Sequence, residues 1–129
     1  MSISQKHLEN AVVLMPEDDI TWRTQPELRN SLDDLSENGE SHIIIDLSHV
    51  HEITGYGLGL LASRCGQLRR EHGDIRLAGA SDAVRRLLHV THLDDLFQLF
   101  DSAESAVRSF TIMDLGNGSQ EEDEEDEPT

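Results

Sequence analysis

Three glycines at alternate positions, Gly55, Gly57 and Gly59, follow a threonine, Thr54, and are separated by Tyr56 and Leu58; Leu60 and Leu61 come directly after. Glycines so spaced suit three kinds of chemistry: a cradle of bare amides for phosphate, a tight catalytic turn, or a docking loop that another molecule approaches closely. The phosphate cradle fails on detail. A dinucleotide fingerprint needs a third glycine where Leu60 stands, and the strand ending near Ala78-Gly79 offers no acid to a ribose. No Gly-Lys-Ser/Thr run occurs, which removes the Walker loop.

Catalysis and metal binding find little support elsewhere. There is no nucleophile elbow, and Cys65, the only cysteine, stands away from any helix start and leaves no internal disulfide or cysteine cluster to form. His49 and His51 flank Val50 and could face one way on an extended segment, while His89 and His92 lie three apart; neither pair has a third ligand at metal spacing. No catalytic residue, no metal and no cofactor are therefore expected, and the chain reads as a binding protein and not an enzyme.

Docking remains. A helix N-terminus presents unpaired N–H groups and the positive end of a dipole. Gly55 and Gly57 would let the backbone bend and lie bare, Gly59 would let the helix sit close to a sheet, and Tyr56, the only tyrosine, would point outward as an interface anchor. The candidate partner-binding loop is thus Thr54, Gly55, Tyr56 and Gly57, extended by the exposed side of the following helix, including Arg64.

The elements that must hold this loop follow from hydrophobic periodicity. Ala11 to Met15 reads as a strand and Ile20 to Arg23 as a second, short one. Thr24-Gln25-Pro26-Glu27 has the form of a capping box, ahead of Leu28, Leu32 and Leu35 at helical spacing and a stop at Gly39. Ile43 to Leu47 is nearly continuous and β-branched, as a strand buried on both faces would be. Leu58, Leu61, Cys65 and Leu68 form one face of a helix that ends near Gly73. Ile75 to Ala78 is a strand. Ser81 caps a helix with Val84, Leu87 and Leu88, Leu96 to Phe100 is a last strand, and Ala103, Ala106, Val107 and Phe110 face inward on a final helix capped around Ser102. Strand and helix alternate, which predicts an α/β domain with a largely parallel sheet. Binding sites in such sheets gather at the carboxyl ends of the strands, where the loop from Ser48 to Gly57 belongs.

Size and charge narrow the partners. The 129 residues suit one domain, expected over 1–113, followed by an acidic, disordered tail over 114–129. The formal net charge is −16; seven of the acids form one run, Glu121–Glu127, and the remainder stays acidic without them. Such a surface repels phosphate backbones and anionic lipid, so neither direct nucleic-acid nor membrane binding is expected. No apolar segment resembles a signal peptide or a span, which fits a cytoplasmic location.

Several stretches together resemble a known family: Ile44-Ile45-Asp46-Leu47-Ser48-His49-Val50, Gly57-Leu58-Gly59-Leu60-Leu61, Ile75-Arg76-Leu77-Ala78-Gly79, Val84-Arg85-Arg86-Leu87-Leu88 and Leu93-Asp94-Asp95-Leu96-Phe97. In order and spacing they are similar to the STAS domain of bacterial anti-sigma factor antagonists, over roughly residues 8 to 112. The resemblance implies a mixed, largely parallel sheet of four to five strands flanked by about four helices, and no catalysis. It also implies a partner switch: the domain binds an anti-sigma factor that is a serine/threonine kinase, and phosphorylation of a loop serine ends the binding. The family loop reads Asp-Ser-Ser-Gly-Leu-Gly. Anchored on Gly57-Leu58-Gly59, its phosphorylated serine falls on Tyr56 and its aspartate on Thr54. Thr54, the only aliphatic hydroxyl between Ser48 and Ser63, is then the candidate phosphosite, out of register. Two alternatives stay open, an accessory STAS subunit of a lipid ABC transporter and a STAS domain sensing a nucleotide or other small molecule; self-association as a homodimer stays open too.

Overall fold

The alternation of β-branched runs with amphipathic segments becomes a five-stranded sheet in a computed structural model, which describes residues 2–116, with side-chain burial through Phe110. The strands are β1 (Ile3–Leu8), β2 (Ala11–Pro16), β3 (His42–Asp46), β4 (Asp74–Ala78) and β5 (Leu99–Phe100); the helices are α1 (Gln25–Glu37), α2 (Gly55–Arg69), α3 (Asp82–Val90) and α4 (Ala103–Gly116). Sheet order follows chain order, β1 to β5, with β1 antiparallel to β2 and every later pair parallel. This is the mixed, largely parallel α/β sheet with four helices that the pattern implied.

Successive strand residues point to opposite faces, and the two faces have separate cores. Val12, Leu14, Ile43, Ile45, Ile75 and Leu77 meet the leucines of α1 and α2 and the Val84/Leu88 pair of α3. Val13, Ile44 and Ala78 turn the other way, onto Ala106, Val107 and Phe110 of α4. β3 is therefore buried on both faces, as its unbroken isoleucines require. Each fully buried Ile or Leu contributes about 1.5–3 kcal/mol, so the larger face dominates the fold's stability.

Four expectations change. β1 is an added edge strand that polar ISQKHL did not suggest; a two-residue link, Glu9-Asn10, with Glu9 at φ 54, turns it back along β2. Ile20 to Arg23 is no strand, because only Ile20 pairs, in an isolated bridge to Ile53, and Trp22 and Arg23 lie in a turn. The last strand shrinks to Leu99–Phe100, since Leu96 and Phe97 close a turn on the carbonyl of Leu93. Thr24 precedes α1 but does not cap it with its side chain: its hydroxyl donates to the Asp19 carbonyl at 2.7 Å and accepts from the Thr21 amide at 2.9 Å. The stop at Gly39 is as read, with φ +81 and the Glu40 amide closing on the Leu35 carbonyl. α4 continues to Gly116, while the acidic run Glu121–Glu127 lies outside the described residues.

Candidate functional site

β2 and β3 are parallel neighbours, so the segments that leave their carboxyl ends, 17–24 and 47–54, run side by side. They are stitched together. The Ile20 amide donates to the Glu52 carbonyl at 3.0 Å, and the Thr54 amide to the Ile20 carbonyl at 2.9 Å. One Asp19 carboxylate oxygen accepts from the His51 and Glu52 amides at 2.7 and 3.1 Å. Ile20 and Ile53 are buried beneath the stitch. The loop ahead of the glycines is thus pinned on one side by backbone pairing.

α2 begins at Gly55, a turn earlier than its leucine pattern indicates. Thr54 sits just ahead in extended conformation, and its hydroxyl accepts from the Gly57 amide at 3.1 Å, which satisfies one of the orphan donors of the first turn. The three glycines are helical and divide their labour differently from the expectation. A Cβ on Gly57 would stand 2.7 Å from Ile20 Cγ2 and 3.0 Å from Ile53 Cγ1, so Gly57 is the residue that lets the helix lie against the stitched loops. A Cβ on Gly59 or Gly55 would meet nothing. These two glycines leave the outer surface of the first turn bare, and the bend assigned to Gly55 and Gly57 is supplied by Thr54.

Tyr56 stands on that bare surface, 77% exposed. Thr54 is half-buried, Gly55 exposed and Gly57 buried, so the four predicted residues share one turn but only Gly55 and Tyr56 face fully outward. Arg64 drops out of the outward face: it is half-buried and ion-paired with Asp33 of α1. Trp22, 73% exposed, was missed. It borders a shallow hollow of about 420 Å³ together with Asp18, Asp19, Arg23 and Thr54, and so adjoins the predicted turn. The available signal was a lone tryptophan in a polar stretch, DDITWRTQP, with only Ile20 nearby to share a core; reading Ile20 and Trp22 as strand alternation concealed it.

A second concentration of polar groups lies toward the opposite edge of the sheet, around the amino end of β4. Asp74 of β4 accepts from Arg69 Nε at 2.8 Å and Arg76 Nε at 3.0 Å. Arg76, 1% exposed, also donates to Ser109 Oγ at 2.6 Å, and its guanidinium lies 3.9 Å from the centre of the Phe110 ring. Burial opposes ionisation of Asp74, but the hydrogen bonds from Arg69 and Arg76 outweigh it and hold the carboxyl below its usual range. Burial lowers Arg76 and raises the Cys65 thiol, which donates to Asp74. Each charge here is answered by a neighbour. Among the described residues, no group of three His, Cys, Asp or Glu stands together as metal ligands would. Nor, among them, is any helix long and apolar enough to cross a membrane.

A sheet of this order, with a capped glycine-rich helix start at the carboxyl ends of its central strands, can be compared with known proteins. The model of the STAS domain matches residues 2–106. The chain belongs to the STAS domain family. Among STAS relatives, the anti-sigma-B factor antagonist of Staphylococcus aureus is 30% identical over 81 residues, which cover 63% of this chain and 75% of the relative. The crystal structure of an anti-sigma factor antagonist from Mycobacterium paratuberculosis superposes with a TM-score of 0.76 at 25% identity, covering 84% of this chain and 92% of that one. A sulfate transporter family protein of Wolinella succinogenes shares the fold as well, with a TM-score of 0.71 at 16% identity over 82% of this chain and 88% of the other. The STAS fold alone therefore does not select a partner; the site must.

Proposed function

We propose that this chain is a non-catalytic, cytoplasmic switch module that binds an anti-sigma factor of the serine-kinase type through the turn Thr54–Gly57 and so frees a sigma factor for transcription. The observation that carries this reading is Tyr56. An aromatic ring 77% exposed at a helix start, between the exposed Gly55 and the buried Gly57, contributes nothing to the core and is suited to anchor a partner. It stands where the family resemblance puts the phosphorylated serine, so a serine kinase finds no acceptor in register and binding is constitutive at that position. Thr54 is the candidate acceptor for any remaining phosphoswitch. A phosphate there would sit over the first amides of α2, displacing the hydroxyl's bond to Gly57 and placing charge in the middle of the partner surface.

The test is a titration of the purified anti-sigma factor from the same cell with wild type and Tyr56→Ala. The substitution should weaken binding by about 30-fold, the loss typical of an interface hot spot, with the melting temperature unchanged. Equal affinity for both proteins would remove the turn from the interaction. Mass spectrometry of the native protein, with phosphate on Thr54 and not on Tyr56, is the expected outcome for the switch.

A further inference from the structure

We propose that the partner surface has a second aromatic anchor, Trp22, and that the face of the protein partner it receives is basic; this rests on the anti-sigma antagonist reading and extends its site to the loop 17–24. The loop is not a bystander. Its backbone is paired to residues 52–54 through Ile20, and the Asp19 carboxylate holds the His51 and Glu52 amides, so loop and turn form one rigid platform. On that platform the two most exposed large apolar side chains of the described residues, Tyr56 at 77% and Trp22 at 73%, both adjoin Thr54. Arg23 lies 5.5 Å from the Trp22 ring centre, which occupies one face of the indole and leaves the rest to solvent. Two aromatics left largely in water on a paired frame contribute little to the core and fit a shared contact surface.

Charge selects what covers them. Asp18 and Asp19 border the hollow beside Trp22, and Glu17 and Glu52 lie on the same paired loops; Arg23 is the one arginine or lysine among residues 17–24 and 47–54. The described protein hydrogen bonds engage only one oxygen of each of the two aspartates, Oδ1 of Asp18 with the Asp19 amide and Oδ1 of Asp19 with the loop amides. An incoming arginine or lysine would meet carboxylate oxygen and the indole face together, a pairing that charge and cation–π attraction both favour. The same charges disfavour the other occupants. A second copy would bring an equal set of acids against these, and nucleic acid or anionic lipid would bring phosphate.

Trp22 is the only tryptophan, so its own emission reports whether the partner covers it. The experiment titrates the purified anti-sigma factor, with its tryptophans replaced by phenylalanine, into the full chain, as wild type, Trp22→Ala, Asp18→Asn and Tyr56→Ala. The expected result is a blue shift of Trp22 emission on binding, at least about tenfold weaker affinity for Trp22→Ala at unchanged melting temperature, and slower association for Asp18→Asn and at raised salt. Binding that depends on Tyr56 but leaves Trp22 emission and the Trp22→Ala affinity unmoved would overturn this inference and spare the functional reading. No binding by any form would overturn both. A blue shift that follows the concentration of the chain alone, with dimers in sedimentation, would assign the patch to a second copy and also overturn it.

Discussion

The two ends of the sheet treat their polar and aromatic residues in opposite ways. At the amino ends, Arg69, Asp74, Arg76 and Ser109 bond to one another, and Phe110 lies under a guanidinium. At the carboxyl ends the backbone is the satisfied part, through the Ile20–Ile53 bridge and the Thr54 cap, while Trp22 and Tyr56 are left in water. Strong electrostatics therefore joins internal groups at one end, while the other end leaves apolar surface exposed on a paired frame, the surface that the proposed function uses. Perturbed carboxylates alone point to Asp74, at the end opposite the proposed docking surface.

Asp74 gives the largest effect and tests the first half of that contrast. Asp74→Asn leaves the buried Arg76 guanidinium short of its counter-charge, and should cost about 3–5 kcal/mol in urea unfolding while the folded fraction binds partner normally. Adding Arg76→Met should restore part of the loss, since an apolar replacement removes the stranded charge. The pH dependence follows from the lowered carboxyl. Its stabilisation is complete above the unfolded value of about 3.9 and is lost as pH falls through the lower folded value, so the acid side of the wild-type stability curve should flatten in Asp74→Asn. Loss of partner affinity without loss of stability would place Asp74 in the interface and erase the distinction between the ends.

Gly57 tests whether the carboxyl-end frame is as tight as the distances indicate. Gly57→Val puts a branched side chain against Ile20 and Ile53 and should cost about 1–3 kcal/mol, the usual range for overpacking. Gly59→Ala meets open space and exchanges a helical glycine for alanine, so it should stabilise by about 0.5–1 kcal/mol. The opposite signs, read in thermal melts, separate the glycine that packs from the glycine that leaves room.

Much of this arrangement was legible in the residues. The isoleucines of β3, the leucine spacings of α1 and α2 and the Ser81 cap each state a local preference that packing then obeyed. β1 was hidden because a half-exposed edge strand needs few apolar residues, and ISQKHL shows only Ile3 and Leu8. Thr24 misled for a local reason: in the turn before the helix, Asp19 and Thr21, not the helix amides, take its hydroxyl. The roles of Gly57 and Gly59 were exchanged because spacing along one helix cannot tell which glycine faces a neighbouring loop. Trp22 joins the proposed surface only because β2 and β3 pair in parallel and their exit loops meet.

Thr54 gives a smaller effect than Gly57 and bears on both halves of the contrast, since it belongs to the frame by its hydroxyl and to the surface by its position. As a cap it satisfies the Gly57 amide, and Thr54→Ala should cost about 1 kcal/mol, with Thr54→Ser close to wild type. Frayed ends bind less well because the first turn must be ordered again, so Thr54→Ala should weaken partner affinity by no more than about the same amount, roughly fivefold. An affinity loss much larger than the stability loss would mean that the hydroxyl itself touches the partner. A loss in both that Thr54→Ser repairs would keep Thr54 as the residue that holds α2 in place so that Tyr56 can be presented. Hydrogen exchange at the Gly57 amide decides between them: the capping role requires faster exchange in Thr54→Ala and wild-type protection in Thr54→Ser.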